Sequence, residues 1–260
     1  MDDTSRDRLS ESLYRALRDR APIAPLTDAH PELTVRDAYL ISMGILERRL
    51  ADGERVVGRK IGLTSKAVQQ RLDVHEPDFG HLTDRMEVPD GGHMPISESM
   101  IQARAEGELA FRLSADLPGP TVTPDDVLGA LGEAYPCFEV VDSRVVDWKV
   151  RIQDTIADNA SSGMFVLGPG VSPQGIDFEG CEMVVTKNGA ELSRGHGRAC
   201  LGSPLNAVAW LAERMASMGT PLRAGDLILS GSMVPLEPVQ AGDTMSMTLS
   251  GVGSCSVHFS

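Results

Sequence analysis

Leu9, Leu13 and Leu17 fall four residues apart among charged side chains, which predicts a helix over residues 5–19 with one apolar stripe. Ala21-Pro22-Ile23-Ala24-Pro25 breaks it, because proline lacks the amide donor and clashes with the preceding turn. Thr34 can cap a second helix with Asp37 in its first turn and Ala38, Ile41, Ile45 and Leu46 on its inner face, ending near Asp52-Gly53. At Val56 the texture changes to short β-branched runs separated by glycine-rich turns. Strands are expected at 56–62, 108–113, 137–141, 183–186, 227–229, 244–249 and 254–259, with a hairpin signal at Lys187-Asn188-Gly189. Two helices interrupt them. Thr123-Pro124-Asp125-Asp126 opens one to about Glu133, and Ser203-Pro204 opens another through Trp210 and Met215 to Gly219. The pattern is α+β, with an N-terminal helical cap over 1–55 and a strand-built domain over 56–260.

Charge narrows the partners. The 260-residue chain carries a formal net charge of −13, which repels phosphate backbones and anionic lipid, so neither nucleic acid nor a membrane surface is expected as a partner. No apolar run is long enough to span a bilayer, and the charged N-terminus lacks a signal-peptide core, so the expected location is the cytoplasm. Cys137, Cys181, Cys200 and Cys255 show no metal or redox spacing and sit in apolar contexts, as buried reduced thiols do. Aromatics make up only 4%, so the core is aliphatic and filled with methionine.

The candidate chemistry is carboxylate-rich. In Glu106-Gly107-Glu108 the two acids project from one face of a strand, and Gly107 leaves the opposite face bare for another group to approach. Like charges held that close repel unless a cation joins them, and Mg²⁺ or Mn²⁺ accepts such oxygens; the alternative is two solvated acids on a strand edge. Glu139 lies in the apolar run Cys137-Phe138-Glu139-Val140-Val141, where an unpartnered carboxylate is costly. It is either a third ligand or the partner of Arg144 or Arg151. Strand alternation sends Arg59 and Lys60 to opposite faces. An inward Lys60 has its pKa lowered by burial and can hold or pass a proton, whereas an outward one is a surface lysine. Asp78, in the loop-like Glu76-Pro77-Asp78-Phe79-Gly80, is a reactive carboxylate or part of a surface turn. Asp158-Asn159-Ala160-Ser161-Ser162-Gly163 suits an anion pocket or simple turn chemistry. There is no dinucleotide fingerprint, P-loop or nucleophile elbow.

Several long blocks resemble a known family. They are Gly58–Gln69, Pro77–Gly80, Arg104–Glu108, Cys137–Arg144, Trp148–Ser162, Leu229–Leu236 and Ala241–Asp243. Together they are similar to the 2-oxopent-4-enoate (2-hydroxypenta-2,4-dienoate) hydratases of the fumarylacetoacetate hydrolase superfamily, over nearly the whole chain. The resemblance implies N-terminal helices packed on a mixed β-roll body and hydration of 2-hydroxypenta-2,4-dienoate to 4-hydroxy-2-oxopentanoate in meta-cleavage catabolism of aromatic compounds. It also implies Glu106, Glu108 and Glu139 as ligands of Mg²⁺ or Mn²⁺, Lys60 and Asp78 as acid/base residues, and Asn159, Ser161 and Ser162 at the substrate. A homo-oligomer and a complex with the pathway decarboxylase are implied as well. Asp73 stands where that family commonly has glycine, and His196 and Arg198 where it has glycine or alanine, which bears on the pocket rim. The rival readings are the sister 2-oxo-3-hexenedioate (4-oxalocrotonate) decarboxylase, a C–C hydrolase of acylpyruvates, and a non-catalytic scaffold for the decarboxylase.

Overall fold

The computed structural model describes residues 1–66, 69–70 and 74–260, so Asp73 lies outside the described residues. Helix Asp3–Asp19 buries Leu13, and helix Val35–Ala51 opens on a reciprocal cap. The Thr34 hydroxyl accepts from the Asp37 amide (3.1 Å) while the Asp37 carboxylate accepts from the Thr34 amide (3.4 Å). Both helices and the helix Ile152–Ala157 share one small core of Leu13, Leu26, Leu33, Ala38, Ile41, Ile45, Ile156 and Ala157. Asp154 fastens the layer by accepting from the Thr27 amide (3.0 Å) and hydroxyl (2.7 Å).

The strands form two sheets. The larger contains β1 (Val56–Gly62), β2 (Asp78–Thr83), β3 (Glu87–Pro89), β5 (Arg104–Leu113), β6 (Leu131–Val141), β7 (Met164–Leu167), β10 (Leu227–Ser232) and β11 (Glu237–Pro238). Its order is β2-β1-β10-β5-β6-β7-β3, with β11 on the edge of β5. The smaller orders β4 (His93–Met94), β13 (Gly253–Phe259), β12 (Thr244–Leu249), β8 (Glu182–Lys187) and β9 (Ala190–His196). Parallel pairs occur at β1/β10, β3/β7 and β4/β13, so both sheets are mixed. This is the α+β arrangement expected, with helices against a mixed-sheet body. The β8/β9 hairpin turns at Asn188 (φ 53°) and Gly189 (φ 80°), the paired positive dihedrals that an Asn-Gly signal calls for.

Two expectations need correction. The helix after Thr123 ends at Ala130, because Leu131 already begins the long strand β6. Segment 76–80 is not a free loop, since Asp78 starts β2, every residue of which is buried. The group that approaches the bare face of Gly107 is the protein's own core: a Cβ there would stand 2.5 Å from Met183 Sδ and 3.1 Å from Val234 Cγ2. Its bare face is where the small sheet packs onto β5, beside Leu109 and Phe111, which are fully buried in the main core.

Candidate functional site

The register of the large sheet assembles the site. Glu106 pairs across from Glu139, and Glu108 across from Cys137. Period-2 alternation therefore puts all three carboxylates on one face, opposite the inter-sheet core. On the same face, β1 delivers Lys60 and its neighbour β2 delivers Asp78, opposite Gly62. Lys60, Asp78, Glu108 and Glu139 are buried, while Glu106 keeps partial exposure at the mouth.

The charges are badly matched. Lys60 Nζ stands 3.2 Å from Glu139 Oε2 and donates to the Ala160 carbonyl at 3.2 Å. Glu108 accepts from the Gly231 amide at 2.9 Å. Both carboxylate oxygens of Glu139 and both of Asp78 lack a hydrogen-bond partner among the described residues. An isolated buried carboxylate costs several kcal/mol, about as much as one well-placed counter-charge returns. One ammonium cannot serve four such groups. Burial accordingly raises the carboxyl of Glu139 to about 7, against the pull of Lys60 and with Glu106 adding to the rise. Glu108 lies well above its usual range, from burial first and then from Glu139 and Glu106. Glu106 and Asp78 are raised by the same burial. For Lys60 the expected direction is reversed. Burial disfavours its ammonium, but Glu139, Asp78, Glu106 and Glu108 outweigh burial and its pKa rises. Lys60 is a held cation, not a neutral amine.

Glu139 does not pair with either arginine considered for it. Arg151 is exposed, and Arg144 reaches Asp158, with Nε 2.5 Å from Oδ1. Gly62 makes room for Asp78 and Lys60, since a Cβ there would lie 2.1 Å from Asp78 Oδ1 and 3.4 Å from Lys60 Nζ. The Asp158–Gly163 segment closes over Lys60, and of the two uses its composition suits, Asn159 and Ser162 serve turn chemistry. The Asn159 side chain accepts from the His81 amide (2.8 Å) and donates to the His81 carbonyl (3.0 Å), and the Ser162 hydroxyl donates to the Asn159 carbonyl. Those two residues are spent on holding the turn against β2. Ser161 Oγ alone of the three is buried without a partner among the described residues. His196 and Arg198 are exposed, while the glycines beside them face inward against the carbonyls of Met233 and Phe178. Sequence reasoning missed Gly62, Gly80 and the Arg144–Asp158 pair. Gly80 is required because a Cβ would meet the Asn159 carbonyl at 2.3 Å.

Among the described residues, no three His, Cys, Asp or Glu side chains are already drawn together as a metal site. The donor chemistry nevertheless fits a hard cation: three carboxylates on adjacent strands, one of them engaged only by the Lys60 ion contact, in surroundings short of positive charge.

Residues 56–260 match the family model described as fumarylacetoacetate (FAA) hydrolase C-terminal. A 2-hydroxypent-2,4-dienoate hydratase of Pseudomonas putida is 57% identical over 84% of this chain and 99% of that protein. A 2-hydroxyhexa-2,4-dienoate hydratase of Comamonas testosteroni is 53% identical over 96% of this chain and 95% of its own. Among solved structures, the 4-oxalocrotonate decarboxylase from Pseudomonas putida G7, complexed with magnesium and adipate, superposes with a TM-score of 0.97 at 35% identity, covering 100% of this chain and 99% of that one. With residues 56–260 matched by its model and relatives more than half identical over most of their length, the chain belongs to the fumarylacetoacetate hydrolase family and groups there with the 2-hydroxydienoate hydratases.

Proposed function

We propose that the chain is a hydro-lyase that adds water to 2-hydroxypenta-2,4-dienoate, giving 4-hydroxy-2-oxopentanoate, with Glu106, Glu108 and Glu139 as ligands of Mg²⁺ or Mn²⁺. The observation that carries the reading is the set of carboxylates gathered on one buried sheet face around a single ammonium, with the oxygens of Glu139 and Asp78 making no hydrogen bond among the described residues. The names of the 57% and 53% identical relatives support the substrate class. The magnesium named for the decarboxylase structure supports the cation.

A divalent cation bound by the three glutamates supplies charge stabilisation for a substrate whose 2-oxygen becomes negative as the enol gives up its proton. The chain's own groups do the rest. The proton of the 2-hydroxyl leaves and C5 gains one, giving the α,β-unsaturated ketone; water then adds at C4 while C3 takes a proton. Lys60 is placed to hold and hand over a proton, because its ammonium is buried and has donors to spare. Asp78 is placed to take one from water, because neither of its oxygens is committed. Ser161 offers the free hydroxyl for the substrate carboxylate, and Asn159 and Ser162 hold that hydroxyl in place.

A second reading, decarboxylation of 2-oxo-3-hexenedioate, is favoured by the fold match to the decarboxylase. The purified chain, supplied with Mg²⁺ or Mn²⁺ and each substrate in turn, separates the two. Loss of dienoate absorbance with formation of 4-hydroxy-2-oxopentanoate and no carbon dioxide is expected. Carbon dioxide release from the hexenedioate at the faster rate would reverse the assignment.

A further inference from the structure

Asn159, Ala160 and Ser161 have φ values of 56°, 52° and 53°. Residues other than glycine visit this left-handed region singly, so three in succession need an outside restraint. Arg144 supplies it. Its backbone amide donates to Asp158 Oδ2 (2.9 Å), its Nε to Asp158 Oδ1 (2.5 Å), Nη2 to the Asp158 carbonyl (2.8 Å) and Nη1 to the Ser162 carbonyl (3.0 Å). One buried side chain thus grips the residues on both sides of the turn. From the other side, Asn159 ties the turn to His81 of β2. Held this way, the turn aims the Ala160 carbonyl at Lys60 Nζ. Among the described residues, that carbonyl is the hydrogen-bond acceptor of the ammonium, and Glu139 is its ion contact at the same 3.2 Å.

We propose that Arg144 is a positioning residue for the hydration, fixing the Lys60 ammonium between Ala160 and Glu139 by keeping the Asp158–Ser162 turn left-handed. The proposal rests on the reading of Lys60 as the proton-moving group. Arg144 itself has no hydrogen bond or ion pair, among the described residues, with Lys60, Asp78, Glu106, Glu108 or Glu139. It acts only through the turn. The task also explains the residue type. A guanidinium fork serves one carboxylate and two carbonyls at fixed angles, whereas the ammonium of a lysine is a single flexible point charge.

The test uses two variants of the full chain. Arg144→Lys keeps the charge and loses the fork. Arg144→Met combined with Asp158→Asn removes both charges of the close pair, leaving Asp142, whose Oδ2 lies 3.9 Å from Arg144 Nη1, held by the amides of Ile101 and Gln102. Lys60 is labelled with acetic anhydride and quantified by peptide mass spectrometry, with Lys149 and Lys187 as internal references. In both variants kcat should fall by about ten- to a hundredfold, the size of effect that about 1 Å of misplacement produces, while KM and the Mg²⁺ requirement shift less than about threefold. Lys60 should acetylate about fivefold or more faster with the references unchanged, as expected of a group released by local opening. Adding Arg144→Lys to Lys60→Met should cost little beyond Lys60→Met alone, since residues acting through one group are not additive. Unchanged Lys60 labelling would overturn the proposal, as would labelling that rises equally at the references or losses that simply multiply. Labelling needs no turnover. If the wild type does not hydrate the dienoate, the hydratase reading fails, and the hold of Arg144 on Lys60 is still decided.

Discussion

The two sheets are built on different rules. In the small sheet, buried and open positions alternate along β8, β12 and β13: Met183, Val185, Met245, Met247, Cys255 and Val257 face inward, and Thr248 and Ser254 lie in solvent. In the large sheet, β2 is buried throughout, and β5, β6 and β10 are buried over most of their length on both faces. A sheet covered on one side places its polar residues by default. A sheet covered on both sides has no default place for them, so Lys60, Asp78, Glu108 and Glu139 inside it mark chemistry. The same residue types carry different information in the two regions.

Substitutions in the large sheet should break catalysis, and those on the open face of the small sheet should not. The greatest effect is expected from Lys60→Met, which should lower turnover by about 10²–10⁴ with the fold retained, as loss of a general acid or base does. Stopped-flow absorbance of the dienoate, with circular dichroism as the fold control, would check it, and near-normal turnover would remove Lys60 from the mechanism. Glu108→Gln comes next. The glutamine carbonyl can still accept from the Gly231 amide, but one negative charge leaves the cation site. Activity should fall at low Mg²⁺ or Mn²⁺ and recover in part as metal is raised, because hard cations prefer anionic oxygens. Glu98→Gln, at an exposed acid, should leave the metal titration unchanged. Full wild-type activity in excess chelator would remove the metal from the mechanism altogether. Gly62→Ala should slow turnover about tenfold or more by displacing Asp78, whose Oδ1 would lie 2.1 Å from the new methyl. At the bottom of the scale, Thr248→Ala in the small sheet should change unfolding free energy in urea by no more than about 0.5 kcal/mol and leave kcat and KM alone. A Thr248→Ala variant with impaired turnover would collapse the distinction between the sheets.

Much of this contrast was readable in the sequence, for physical reasons that also explain the rest. Glu106 and Glu108 were legible because alternation in a strand is strictly local. The Thr34 and Thr123 caps and the Asn188-Gly189 turn were legible for the same reason. β2 was not. Buried on both faces and interrupted by Gly80 and His81, it offers no alternation to detect, and Pro77 before it reads as a turn. The protonation preference of Lys60 was misread because burial is a local inference, whereas four carboxylates arriving from three other strands are not. The left-handed turn left no signal either. Nothing about Ala160 announces a positive φ, and its restraint, Arg144, lies 14 residues before Asp158 with no motif linking them.

β5 serves two masters: Glu106 and Glu108 line the carboxylate face, and on the other face Gly107 lies against Met183 and Val185 of the small sheet, with Leu109 and Phe111 in the main core. For anyone wishing to change the substrate of this protein, that double duty maps where variation is tolerated. A library at β5 alters the glutamates and the inter-sheet seam together, so its members fail for two unrelated reasons and selection cannot tell them apart. The segment carrying Ser161 does not cross the seam, but its turn holds Lys60 through the Ala160 carbonyl, so diversity there belongs at Ser161 alone, with Asn159, Ser162 and β5 left untouched.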